Sequence, residues 1–164
     1  MWRISALNRR ALLTFALLPA AARANAPEVL ELAGQPVLKL AQHPTVGPRL
    51  RSMSAGRQRV VSNALRGAGP PMAVTDARWV HGYGVIPEAR VFLAFDTHAE
   101  SVVILLLEDG RPSLFIPPRI APWPLALRAA VREFAPEMAA QMRFAEALQP
   151  GRIFASRMRF ENFS

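Results

Sequence analysis

The sequence contains no cysteine among its 164 residues. This absence excludes structural disulfides, reactive thiols and metal sites built from thiolates. An apolar core therefore has to hold the fold together without covalent cross-links.

Long apolar runs are also absent. A membrane-spanning helix needs about 20 apolar residues, whereas the longest aliphatic run, Val102 to Leu107, has six. The apolar run near the N-terminus, Ala11 to Leu18, is likewise too short. We therefore expect no stable membrane anchor.

The first residues match an export signal instead. Three arginines among the first ten residues form a positively charged start, the short apolar run follows, and Ala22-Arg23-Ala24 offers a small-residue cleavage site. We expect residues 1–24 to be a signal peptide cleaved near Ala24, and the mature protein to be periplasmic or secreted. The pair Arg9-Arg10 leaves two export routes open, the general secretory route and the twin-arginine route.

The charge of the mature chain is only mildly positive. Removing the signal leaves 16 basic and 12 acidic residues, and the basic residues are scattered along the chain. A nucleic-acid-binding protein needs a clustered basic face, and an exported protein meets little DNA. We therefore expect no nucleic acid partner.

The remaining pattern predicts a single α+β domain over residues 25–151, followed by a C-terminal tail over residues 152–164. Residues 26–44 carry little pattern and are expected to form a short strand or an extended arm. Apolar residues at helical spacing predict two short helices, or one broken helix, within Thr45 to Arg66.

A central antiparallel β-sheet, a meander, is expected after the Gly67 to Pro71 linker. Arg90 to Phe95 and Val102 to Leu107 are nearly continuous apolar runs, which is typical of strands covered on both faces. Asp109-Gly110 favours a tight hairpin turn into a last strand, Pro112 to Ile116. Helical patterns return after the sheet, so short helices are expected to pack on it from both its N-terminal and its C-terminal sides.

The residue types that carry catalysis or bind metals do not cluster. His43, His81 and His98 are far apart and show no metal-ligand spacing. Turn propensity explains the acidic residues near the strand ends, and no serine lies in a Gly-x-Ser-x-Gly motif. We therefore predict no catalytic residue, no metal site and no cofactor, and a protein that is not an enzyme.

The order of the segments resembles one known family. An export signal, two short helices and a glycine-proline linker are followed by WVHGYGVIPEA, RVFLAFD and VVILLLEDG. This layout, from His43 to Leu107, is similar to that of the bacterial periplasmic inhibitors of vertebrate lysozyme. The resemblance implies an exported α+β domain, often dimeric, that binds a lysozyme-like hydrolase through a loop of its central sheet.

In that family the loop bears a Cys-Lys-Pro-His-Asp-Cys motif, in which a disulfide clips the loop and the histidine enters the lysozyme cleft. The matching window here contains neither cysteine nor histidine: Gly84, Val85, Ile86, Pro87, Glu88 and Ala89. We expect this window to be a loop that contacts a partner, with Ile86, Pro87 and Glu88 exposed at its tip. The missing histidine and the added negative charge argue against inhibition by the family's mechanism.

The sequence thus predicts a small, non-enzymatic, exported binding protein that resembles lysozyme inhibitors and binds a protein such as a lysozyme-like hydrolase. Two alternatives stay open. In the first, the protein is an exported enzyme or an accessory subunit of one. In the second, the protein is a structural subunit, and its tail, in which Phe154, Phe160 and Phe163 alternate with arginines, supports self-association, for example as a homodimer.

Overall fold

The structure, a computed structural model, describes residues 26–54 and 56–146. The predicted signal peptide (residues 1–24) and the predicted tail (residues 152–164) lie outside the described residues. Both therefore stay predictions.

Within the described residues, four short helices precede the sheet: α1 (Ala26–Leu30), α2 (Val37–Gln42), α3 (Val46–Met53) and α4 (Gln58–Leu65). The two helices predicted within Thr45 to Arg66 are confirmed. The strand or arm predicted for residues 26–44 is wrong. Since α1 and α2 have only five and six residues, they are too short to show a helical period, and burial of Val37 and Leu40 against the rest of the fold stabilises α2.

A five-stranded antiparallel sheet forms the centre of the molecule. Its strands lie side by side in chain order, as in the predicted meander. The turn residues Asp109 and Gly110 have φ values of 50° and 74°, the backbone conformation that a tight hairpin turn requires at both positions. The strands are β1 (Ala73–Thr75), β2 (Trp79–Ile86), β3 (Ala89–Asp96), β4 (Ser101–Glu108) and β5 (Arg111–Ile116).

Short helices follow the sheet, as expected. Pro136 takes the first position of α6, where a missing N–H costs no hydrogen bond. The elements are β6 (Trp123–Pro124), a 3-10 turn (Leu125–Leu127), α5 (Arg128–Phe134), α6 (Pro136–Gln141) and β7 (Phe144–Ala145), of which β6 and β7 pair in parallel.

Alternate residues of β3 and β4 face two different cores. One core lies under α2, α3 and α4 and includes Leu93 and Ile104. The other lies under α5 and α6 and includes Phe92 and Leu105, packed with the fully buried Trp123. The prediction that these strands are covered on both faces is confirmed, and the fold class is α+β with helices on both sides of the sheet.

In this antiparallel order, successive turns lie at alternate ends of the sheet. The turns that connect β2 to β3 and β4 to β5 lie at one end, and because β3 and β4 pair, with Ala89 opposite Glu108, these two turns are neighbours. The turns that connect β1 to β2 and β3 to β4 lie at the other end.

Candidate partner-binding site

The window Gly84 to Ala89 is not the six-residue loop that the sequence predicted. Gly84, Val85 and Ile86 complete β2, Ala89 begins β3, and Ile86 pairs with Ala89. Only Pro87 and Glu88 remain as a two-residue turn. The strands thus pair along their whole length.

Gly84 explains why the loop interpretation failed. A Cβ atom at this position would lie 2.2 Å from the carbonyl oxygen of Ala64 at the end of α4. Glycine is present here because another backbone approaches closely, and the strand continues through it. Gly84 and Ala89 are buried, so they cannot touch a partner, whereas Val85 is 38% exposed.

The turn itself is held firmly in place. Pro87 restricts its own φ angle, and the Asp109 backbone N–H donates a hydrogen bond of 2.9 Å to the Glu88 carbonyl oxygen. Val85 and Ala68 exchange two backbone hydrogen bonds of 2.8 and 3.1 Å. A turn this short and this well bonded is preorganised without a disulfide.

Acidic side chains and two arginines lie together at this end of the sheet. Glu88 and Asp109 are exposed, and neither has an ion-pair partner among the described residues. Glu108 beside them is neutralised by Arg57, whose Nη1 lies 3.0 Å from its Oε2. We call Pro87, Glu88 and Asp109 the acidic tip.

Sequence reasoning named Pro87 and Glu88 but missed Asp109 as their neighbour. The signal that places Asp109 there is the register of β3 on β4. That register follows from the lengths of both hairpins and could not be deduced while Gly84 to Ala89 was taken as a loop.

A second exposed feature lies after β5. The Ala121 N–H donates to the Pro118 carbonyl oxygen at 2.9 Å, which closes a turn. Ile120 in this turn is 87% exposed, and no pattern in the sequence marks it as a surface residue. β5 begins beside the acidic tip and runs away from it to Ile116, so the chain leaves the sheet at a distance from the acidic tip.

The three histidines are not brought together. His43 Nδ1 accepts a hydrogen bond from the Thr45 N–H, and His98 is exposed in the turn after β3. His81 is buried, with its Nε2 2.9 Å from the Thr75 hydroxyl. Burial lowers the pKa of His81, although the charge of Glu133 opposes that shift.

Neither metal binding nor membrane spanning is supported by the part of the chain that the structure describes. Within residues 26–54 and 56–146, no three side chains of His, Asp or Glu are grouped so that they could hold a metal ion. No helix in these ranges combines the length and the apolar character that crossing a bilayer requires.

The model of the family "Inhibitor of vertebrate lysozyme (Ivy)" matches residues 45–137. This match spans more than half of the chain and contains the whole five-stranded sheet. The chain belongs to the Ivy family. No curated protein and no solved structure matches it. The Ivy match confirms the resemblance drawn from His43 to Leu107 and extends it into α6.

The shape of the β2–β3 connection sets this Ivy-family protein apart from the pattern that the resemblance implied. A two-residue turn has no room for the six-residue Cys-Lys-Pro-His-Asp-Cys motif, and its exposed ionisable side chain is Glu88. The chemistry available at the turn is therefore that of a rigid acidic surface.

Proposed function

We propose that this Ivy-family protein is an exported, non-enzymatic binding protein whose partner is a protein of the lysozyme-like hydrolase class. Family membership supports the class of partner, and the predicted signal over residues 1–24 supports export. The observation that carries the mode of binding is the acidic tip, where Glu88 and Asp109 lie beside the rigid Pro87 turn and have no ion-pair partner within the described part of the chain.

Electrostatics favours a contact outside the catalytic cleft of such a hydrolase. The cleft of a lysozyme contains two carboxyl groups, so Glu88 and Asp109 meet like charge there, and the tip offers no histidine to donate a hydrogen bond. A basic patch elsewhere on the partner complements the tip. Because the turn is already ordered, binding costs it little conformational entropy.

The test is calorimetric titration of mature protein, residues 25–164, into a purified vertebrate lysozyme. We expect saturable binding that weakens as salt is added, because exposed charges are screened. Saturating tri-N-acetylchitotriose, which occupies the lysozyme cleft, should leave the dissociation constant unchanged. The double variant Glu88→Gln/Asp109→Asn should bind about tenfold more weakly.

Asparagine tolerates the positive φ of residue 109, so the double variant should keep its turn. The matched control, Glu137→Gln/Glu146→Gln, removes two exposed glutamates in the C-terminal part and should bind within about twofold of the parent. Competition by the oligosaccharide would show insertion into the cleft and overturn the proposed mode. Loss of binding in Ile120→Ser but not in the tip variant would place the contact at Ile120 and not at the acidic tip. If the parent protein does not bind lysozyme at all, the proposed partner is wrong.

A further inference from the structure

A groove of about 500 Å³ lies between the three helices α2, α3 and α4, and no residue of the acidic tip lines it. Its size falls within the roughly 300–1,000 Å³ of small-molecule sites in proteins. Leu38, Leu50 and Leu65 line it together with uncharged polar side chains such as Ser54 and Ser62. The groove can therefore take up an aliphatic group.

Three arginines line the same groove. Arg51 lies in the last turn of α3, Arg59 lies in the first turn of α4, and Arg66 caps the end of α4. Arg59 and Arg66 are seven residues apart, which places them on the same side of the helix. Among the described residues that line the groove, none is acidic.

Two other arginines, on α3 and just before α4, have acidic partners. Arg49 on α3 pairs with Glu100, and Arg57 before α4 pairs with Glu108, so both are neutralised by the sheet. Among the described residues, the three groove arginines have no ion-pair partner. They leave an uncompensated positive rim beside the three leucines.

We propose that this groove binds an amphipathic anion, a carboxylate or phosphate group carried on a single aliphatic chain. Guanidinium groups recognise both anions through charge-assisted hydrogen bonds, and the leucines accommodate the chain. The ends of the protein's own chain do not complement the rim, because residues 1–25 carry four arginines and no acidic residue, and residues 147–164 carry three arginines and one glutamate.

The probes are dodecanoate and dodecyl phosphate, titrated calorimetrically below their micelle concentrations into mature protein, residues 25–164. We expect saturable binding of at least one of them, with affinity rising from octanoate to dodecanoate because each added methylene is buried. Dodecyltrimethylammonium, acetate and inorganic phosphate should bind far more weakly. Tighter binding of dodecanoate assigns the groove to fatty acids, and tighter binding of dodecyl phosphate assigns it to single-chain phospholipids.

Matched charge variants decide whether the groove is the site. The triple variant Arg51→Gln/Arg59→Gln/Arg66→Gln should weaken binding about tenfold or more. The control triple variant changes three exposed arginines of the C-terminal part and should stay within about twofold of the parent; it carries Arg128→Gln, Arg132→Gln and Arg143→Gln.

Thermal unfolding by circular dichroism verifies that both triple variants are folded. Three outcomes overturn the proposal: no saturable binding of either anion, equal binding of the cationic amphiphile, or equal weakening by both triple variants. None of these results depends on whether the acidic tip binds a hydrolase.

Discussion

At the scale of single residues, Asp96 shows how a charged side chain holds this fold together. Its carboxylate is almost fully buried and accepts hydrogen bonds from Arg78 Nε at 2.7 Å and Arg78 Nη2 at 2.5 Å. Its Oδ1 also accepts from the backbone N–H groups of His98 and Ala99. Asp96 thus connects the start of β2 to the turn after β3.

The pKa of Asp96 reflects two opposing effects, its burial and these contacts. Burial alone would raise it, but the hydrogen bonds from Arg78 and from the Ala99 and His98 N–H groups, together with the positive charge of Arg78, lower it below the ordinary aspartate value. Because the folded pKa is depressed, the stabilisation is present above the unfolded pKa of about 3.9 and is lost as the pH falls through the folded pKa.

We therefore predict that Asp96→Asn lowers the free energy of unfolding by roughly 1.5–3 kcal/mol at pH 7, the range for hydrogen bonds to charged groups. The difference from the parent protein should shrink as the pH falls below about 4. Urea unfolding of both proteins across this pH range measures the effect. Asp76→Asn is the matched control, because Asp76 is exposed and has no ion pair among the described residues. A pH-independent difference would contradict the argument.

At the scale of elements, the packing of helices on β2 depends on glycines in the strand. At Gly84, an added methyl group would meet the Ala64 carbonyl oxygen, which is backbone and cannot rotate away. At Gly82, the nearest atom to an added Cβ is Met72 Cγ at 3.0 Å, in a flexible side chain that can move. Comparing substitutions at the two positions tests whether a clash with backbone lowers the stability more than a clash with a side chain.

We predict that Gly84→Ala lowers the free energy of unfolding by about 1–3 kcal/mol or more, because β2 and α4 must separate. Gly82→Ala, the matched control on the same strand, should cost about 1 kcal/mol or less. Chemical denaturation of the two variants gives both values. Equal losses of stability would show that the close approach of α4 does not restrict position 84 to glycine.

The sequence predicts the elements whose pattern extends over many residues or needs no tertiary context. β3 and β4 have continuous apolar runs, α3 and α4 show a helical period, and Asp109-Gly110 has turn chemistry that needs no tertiary context. α1 and α2 could not be predicted because tertiary burial stabilises them. The sequence assigns Gly84 to a loop for a similar reason, since it is contact with α4, and not a turn, that requires glycine there.

The same distinction applies to the candidate sites. Glu88 could be named from its place in the family's window, but its juxtaposition with Asp109 needed the strand register. The groove arginines come from two helices and the position after α4, and only the packing of α2, α3 and α4 shows that they line one groove. Sites shared between elements are therefore harder to predict than single turns.

At the scale of the whole molecule, one sheet serves two cores. Ile104 on β4 faces the core under the first four helices, and its neighbour Leu105 faces the core under α5 and α6. Both cores depend on the same strands, so loss of one should expose the other. We infer that the domain unfolds as one cooperative unit.

The mature protein carries a natural reporter for this inference. Trp79 and Trp123, its two tryptophans, both lie in the second core. We predict that Ile104→Val, which removes one methylene from the first core, lowers the free energy of unfolding by about 0.5–1.5 kcal/mol. The urea midpoint should fall equally by tryptophan fluorescence and by far-ultraviolet circular dichroism, although no tryptophan contributes to the first core.

The reciprocal variant Val103→Ala, in the second core, should also shift both signals together, and it serves as the control for the sensitivity of the fluorescence. If Ile104→Val moved only the circular dichroism midpoint, the helices α1 to α4 and the first core would unfold separately. The groove between α2, α3 and α4 would then belong to a separately unfolding layer. A shared shift means instead that a ligand bound in the groove stabilises the acidic tip as well, because the same sheet supports both.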